Sequence, residues 1–143
     1  MGLLDAHVPR GLVLDLGCGY GAIAAELERR GYGYIGLDID ENAIADLRRH
    51  GHRAEALDLP ELTDLPDRLV RVADGQPVVA LCVLDVLEHL PDTDGALAAF
   101  ATAAAQLGEP ALVVSVPNVT HVDLAAKLAA GRWDVTETGL LDR

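Results

Sequence analysis

Short aliphatic and β-branched runs alternate along this chain with amphipathic stretches. That alternation is the pattern of βαβ units, in which strands lie parallel and the crossovers cover the sheet. Strands are expected at residues 12–16, 34–39, 53–59, 78–84 and 111–116. The third run is polar enough for a sheet edge. The last two are nearly continuous apolar segments, as expected of central strands covered by helices on both faces.

Between them, residues 21–30 place Ile23 and Leu27 on one helical face, and Gly31 ends that helix. Asp40 is placed to cap a second helix with Ile44 and Leu47 inward and Gly51 as its close. Thr63 or Asp64 caps a third, with Pro66 in its first turn and Leu65, Leu69 and Val72 buried. Residues 95–107 form an alanine-rich helix directing Leu97, Phe100 and Leu107 inward, and residues 121–130 form the last. The expected fold is α/β, one doubly wound and mostly parallel sheet, with residues 1–143 as a single domain.

Charge narrows the partners. Eleven Lys and Arg against 23 Asp and Glu leave a net charge of −12, which opposes binding to a phosphate backbone, so no nucleic acid is expected. No apolar run reaches the roughly 18 residues that span a bilayer, and residues 1–9 lack a leader pattern. With only two cysteines, Cys18 and Cys82, both in apolar contexts that suit small packing residues, a reducing cytoplasmic setting without a membrane is expected.

The sharpest motif is Val13-Leu14-Asp15-Leu16-Gly17-Cys18-Gly19-Tyr20-Gly21, a buried strand running through a glycine turn into a helix start. Gly17 and Gly19 allow close backbone approach to a ligand. With Ala22 following, the turn also satisfies the G-x-G-x-x-G/A dinucleotide pattern, and Asp38 lies near the expected distance of about 20 residues for ribose hydroxyls. Asp15 separates the two ligand classes: it repels a pyrophosphate and favours a cation. The residues alone leave open that Asp38 only caps the next helix and that Asp58 is an ordinary loop acid.

Val13 to Gly21 resembles the first motif of class I S-adenosylmethionine-dependent methyltransferases, Gly36-Leu37-Asp38-Ile39-Asp40 the acidic second, and Ala56-Leu57-Asp58-Leu59 the third. The resemblance covers nearly the whole chain and implies a Rossmann-like methyltransferase core binding S-adenosylmethionine. It implies that Asp15, Gly17, Cys18 and Gly19 line the methionine and ribose side and that Asp38 takes the ribose hydroxyls. Ile39 would pack on adenine, Asp58 accept from the adenine amino group, Leu59 join that contact, and Leu84 line the methionine. Members of the family ordinarily continue into two further strands, one antiparallel and paired with the fifth. This chain stops at Arg143 without them, so an exposed fifth strand open to homodimer formation is expected.

After the fourth strand, Asp85-Val86-Leu87-Glu88-His89 resembles the E-x-x-E-H stretch of some O-methyltransferases, including the ubiquinone-biosynthesis and small-RNA 2′-O types, with Asp85 for the first Glu. The resemblance implies that Asp85, Glu88 and His89, joined by His121, hold a divalent metal beside the accepting oxygen. Without a metal, His89 is the general base, while a third reading has Glu88 and His89 tying loops together. Residues 117–121, 131–133 and 139–143 look like bacterial methyltransferase modules found beside glycosyltransferases, which implies a small-molecule or sugar hydroxyl as acceptor. A cofactor-binding subunit without catalysis of its own and an NAD-dependent oxidoreductase are the competing functions. His7, His50 and His52 read as solvated, and Trp133 as a substrate platform or packing anchor.

Overall fold

The run Leu12–Leu16 (β1), aliphatic at every position but Asp15, is buried throughout, which requires a strand on each side and helices on both faces. The computed structural model, which describes residues 2–59, 63–118 and 122–132, supplies them. β1 pairs in parallel with β2 (Gly33–Asp38) and β4 (Val78–Leu84), while β3 (Ala54–Ala56) lies outside β2 and β5 (Ala111–Ser115) outside β4. The order β3-β2-β1-β4-β5 places the topological switch between β1 and β4, where a crevice opens beyond the strands' carboxyl ends.

The strand pleat divides the core. Leu12, Leu14, Leu16, Ile35, Leu37, Leu81 and Val83 pack on one face against α4 (Leu65–Ala73) and α5 (Thr93–Gln106), with Phe100 fully enclosed. Truncating such a phenylalanine costs about 3–5 kcal/mol. On the other face Val13, Tyr34, Ala80 and Cys82 meet α1 (Gly2–His7), α2 (Ala24–Arg29) and α3 (Glu41–Arg49) through Leu4, Leu27, Ile44 and Leu47. The sheet is therefore doubly wound. Asp40 caps α3 by accepting from the Asn42 N–H at 2.9 Å, and the left-handed Asp74 closes α4. Asp64 precedes α4 as expected, yet its side chain makes no capping bond. The last helix, α6, spans Val122–Ala129.

Several expectations are corrected. β5 is the outermost described strand, in agreement with the expected exposed fifth strand and not with a central strand covered on both faces, and Leu112 and Val114 are about two-fifths exposed. Leu97 points outward at 38% exposure, because α5 buries Ala96, Ala99, Phe100 and Ala103. β3 is three residues long, not seven, and α2 starts only at Ala24 because residues 20–23 are taken up by the turn. His52 is not solvated: its side chain is 17% exposed, its Nδ1 sits 2.9 Å from Glu28 Oε2, and its ring stands edge-on to Tyr34. α1 was not anticipated. His121 and Trp133 lie outside the described residues. Among the described residues no helix is long and apolar enough to cross a membrane.

Candidate cofactor and reaction site

The glycine turn is locked to the second strand by its own backbone. The N–H groups of Gly17 and Cys18 both donate to the Leu37 carbonyl, at 2.7 and 3.1 Å. Gly17 has φ +70°, and a Cβ there would lie 2.3 Å from Val86 Cγ2, so conformation and space both demand glycine. Gly19, at φ +49°, has no atom within 4 Å of the same position, which leaves its surface open to a ligand. Its N–H donates to Asp38 Oδ2 at 2.7 Å, and Asp38 Oδ1 accepts from the Asp40 N–H at 2.9 Å. Both Asp38 oxygens thus face backbone donors at the tips of β1 and β2.

Asp15, 4% exposed, is the only buried charged side chain among the described residues. Burial pushes its carboxyl up to about 6, and the nearby Asp38 charge adds to this, while the Tyr34 hydroxyl, donating to Oδ2 at 3.0 Å, opposes it. Cys18 is buried beside it, and burial, reinforced by Asp15, pushes its thiol up to about 12. A thiol so placed is a packing group, not a nucleophile.

Beyond the strand tips lies a cleft of about 310 Å³, lined by Gly17, Asp38, Ile39, Leu59, Asp85, Val86, His89 and Leu90. That volume is at the small end of the roughly 300–1,000 Å³ common for ligand clefts. Its described lining holds two carboxylates and neither Lys nor Arg. Ile39, an aliphatic side chain 65% exposed, stands in its wall as a ready stacking surface. Next to Leu59, Asp58 Oδ1 is buried with no hydrogen-bond partner in the structure. A buried acceptor without a donor is costly, and an amino group would satisfy it.

Asp85 holds a left-handed backbone at φ +55°, which for a non-glycine residue costs of order 1–3 kcal/mol. Its N–H donates to the Ser115 carbonyl and hydroxyl, both at 3.1 Å, and the Ser115 hydroxyl donates to Asp85 Oδ1 at 2.8 Å. His89 closes the short 3-10 turn Leu87–His89 and lines the cleft, while Glu88 on the same turn is exposed and outside the described lining. Leu84 is half-buried and packs toward the α1–α3 face, away from the cleft.

The structure therefore brings Gly17, Asp38, Ile39, Leu59, Asp85 and His89 to one cleft, with Cys18, Gly19 and Asp58 in the neighbouring connections and Asp15 near the end of β1. It does not gather Asp85, Glu88 and His89 as a metal trio. Among the described residues no group of three or more His, Cys, Asp and Glu side chains suits a metal ion, and Asp85 is turned to Ser115. Tyr34, Ser115, Val86 and Leu90 escaped the sequence reading. Only the apolar positions flanking Glu88-His89 carried a signal for the last two.

The model of a family described as "Methyltransferase domain" matches residues 3–140. The ubiquinone biosynthesis O-methyltransferase of Acinetobacter baumannii is 35% identical over 81 residues, covering 56% of this chain and 33% of that protein. The protein of the same name from Hahella chejuensis is 31% identical over 99 residues, covering 69% of this chain and 41% of its own. The chain thus spans a third to two-fifths of the length of these curated relatives. Among solved structures, the magnesium protoporphyrin IX methyltransferase of Synechocystis, crystallised with S-adenosylhomocysteine, superposes with a TM-score of 0.60 at 24% identity, covering 90% of this chain and 56% of that one. A TehB-like methyltransferase from Corynebacterium glutamicum superposes at 0.58 with 24% identity over 79% of this chain and 59% of that one. These two likenesses establish the fold.

Proposed function

The chain belongs to the methyltransferase domain family, and on that premise we propose that residues 1–143 form one S-adenosylmethionine-binding domain that methylates a hydroxyl oxygen. The observation that carries the reading is the cleft's charge. Two carboxylates and no described Lys or Arg suit a ligand bearing sulfonium and ammonium groups and repel a pyrophosphate, which disfavours the oxidoreductase reading.

The described residues fit this cofactor. The unpartnered Asp58 Oδ1 is the acceptor for an adenine amino group, with Ile39 and Leu59 as the apolar walls beside the ring. Asp38 exchanges its bond to Gly19 for the ribose hydroxyls, and the open surface at Gly19 admits the ligand's middle. Asp15, Gly17 and Cys18 form the floor beneath its amino-acid end, with Leu84 behind them in the core. When bound, the cofactor supplies an electrophilic methyl group whose C–S electrons remain on sulfur.

His89, in the wall of the cleft, accepts the hydroxyl proton as the acceptor's oxygen bonds to carbon. Asp85, fixed by Ser115, orients that hydroxyl or the charged imidazole, and Glu88 adds negative charge on the same turn. The described residues do not assemble the ligands of a divalent metal, so the proton and charge are handled by these side chains. The likeness to ubiquinone-biosynthesis O-methyltransferases supports oxygen as the methylated atom and a small molecule as its carrier. Among the described residues no strand pairs with the outer edge of β5, which supports pairing with a second copy of the chain.

Titration calorimetry with S-adenosylhomocysteine and NAD tests the cofactor half of this reading. Binding of the first alone is expected, and binding of NAD alone would reverse it. Methyl transfer from labelled S-adenosylmethionine to a panel of hydroxylated acceptors tests the catalytic half. Tight binding with no transfer to any of them favours the non-catalytic subunit.

A further inference from the structure

The carboxylate of Asp15 lies on the α1–α3 side of the sheet, opposite the face that receives Leu14 and Leu16. There the Tyr34 hydroxyl donates to its Oδ2 at 3.0 Å. Tyr34 is 3% exposed and braced from both sides. His52 stands edge-on with ring centroids 6.2 Å apart, and Gly36 provides the room: a Cβ there would come 2.8 Å from the Tyr34 oxygen and 2.7 Å from Cys18 Sγ. Two strands, the glycine turn and a histidine therefore converge on one hydrogen bond, directly under the strand tip where the cofactor is placed.

Resting on the cofactor reading above, we propose that Tyr34 is a positioning residue: its hydroxyl fixes the Asp15 carboxylate beneath the glycine turn as the buried negative charge that receives the cofactor's ammonium end. The groups facing Asp15 are Tyr34 from β2, Cys82 from β4, Cys18 from the turn and Asp38 at the end of β2. Burial pushes both thiols up to about 12 and raises the phenol further, so none of the three carries charge at neutral pH. Burial likewise pushes the Asp15 carboxyl up to about 6. A cation bound against Asp15 favours its ionised form, so binding in mild acid is linked to loss of a proton. The Tyr34 hydroxyl favours the same form and sets the pH at which this linkage appears.

Calorimetry of the full chain with S-adenosylhomocysteine, which keeps the ammonium group, reads this directly between pH 5 and 8. Affinity is expected to be level above neutrality and to fall by up to about tenfold per pH unit below the Asp15 midpoint near 6. Tyr34→Phe is expected to raise that midpoint by about one pH unit while keeping affinity at pH 8 within about threefold. Asp15→Asn is expected to abolish the midpoint, which separates Asp15 from the neighbouring His52. A purely structural tyrosine would lower the melting temperature without moving the midpoint, and that result overturns the proposal.

Should Tyr34→Phe fail to fold, the wild-type chain still decides the matter. At pH 5.5, in two buffers of different ionisation enthalpy, S-adenosylhomocysteine binding is expected to release a substantial fraction of a proton, and the Asp15 carboxyl ¹³C shift should move toward the ionised value. Binding with no proton release and an unmoved Asp15 signal refutes the inference. No binding at any pH refutes the cofactor reading instead.

Discussion

Asp38 Oδ2 accepts the Gly19 backbone N–H at 2.7 Å, so a carboxylate from the tip of β2 holds the glycine turn that follows β1. The same carboxylate receives the Asp40 N–H through its other oxygen, just before the cap of α3. One side chain thus ties together the two motifs that the cofactor must bridge. The helix-capping role that the residues left open falls to its neighbour Asp40.

Replacing Asp38 by Ala removes two charge-assisted bonds, each worth about 1.5–3 kcal/mol. The free protein loses the tie between turn and strand and some stability, whereas binding loses the acceptor of the ribose hydroxyls, so S-adenosylhomocysteine affinity is expected to fall roughly a hundredfold in calorimetry. Asp38→Asn, which keeps one acceptor oxygen, should lose less. Unchanged affinity in Asp38→Ala would remove Asp38 from the site.

Stability should depend on pH through Asp15. Its folded-state carboxyl is raised from 3.8 to about 6, so the native state binds this proton more tightly than the unfolded chain does. The favourable contribution is complete below about pH 4 and is lost as pH rises toward 6, a change of about 3 kcal/mol. Asp15→Asn is therefore expected to unfold at higher urea concentration than wild type at pH 7–8, with the gap closing near pH 4. A gap that widened in acid would contradict the sign.

Gly17 and Gly19 should separate stability from binding. Gly17→Ala forces a methyl against Val86 in a left-handed backbone and is expected to cost about 2–3 kcal/mol in chemical denaturation. Gly19→Ala meets no protein atom, so its cost is the left-handed backbone alone, about 1 kcal/mol. Its added methyl projects into the ligand's space, and cofactor affinity should fall at least tenfold. The reverse ranking would mean that Gly19 does not face the ligand.

The two sheet edges differ. On β3, Arg48 Nε donates to the Ala54 carbonyl at 2.8 Å and an Arg68 Nη to the Ala56 carbonyl at 3.2 Å, so guanidinium groups occupy that edge. β5 instead exposes Leu112 and Val114, and Val116 follows at 60% exposure. Sedimentation velocity across a concentration series should show a reversible dimer that Leu112→Lys with Val114→Lys converts to monomer. A monomer at every concentration would contradict pairing through β5.

What could be read from the sequence follows from the range of the interactions. The Val78–Leu84 strand is legible to the residue because a seven-residue apolar run rich in valine, bounded by turn residues, is too short for a helix and suits a buried strand. The pocket residues Asp38 and Ile39 were legible because the resemblance fixed them to a strand tip. Leu97 points outward because the small residues set the buried face of its helix: Ala96, Ala99 and Ala103 turn inward together with Phe100, and counting only large apolar residues overlooks them. β5 admits two opposed readings, covered from its aliphatic run and exposed from the family resemblance, because an aliphatic strand looks the same in sequence whether or not its faces are covered. The pairs Tyr34–Asp15 and Ser115–Asp85 join residues 19 and 30 positions apart, and only the sheet register brings them together. Glu88 and His89 sit side by side in sequence, yet the short 3-10 turn sends only His89 into the cleft wall.

A crystal structure of the chain with S-adenosylhomocysteine tests the central claim most directly. The adenine is predicted to lie between Ile39 and Leu59 with its amino group on Asp58, the ribose hydroxyls on Asp38, and the sulfur opening toward Asp85 and His89. A cleft that stayed without an adenosyl group at saturating ligand, or that took up a pyrophosphate across Gly17 and Gly19, would contradict it.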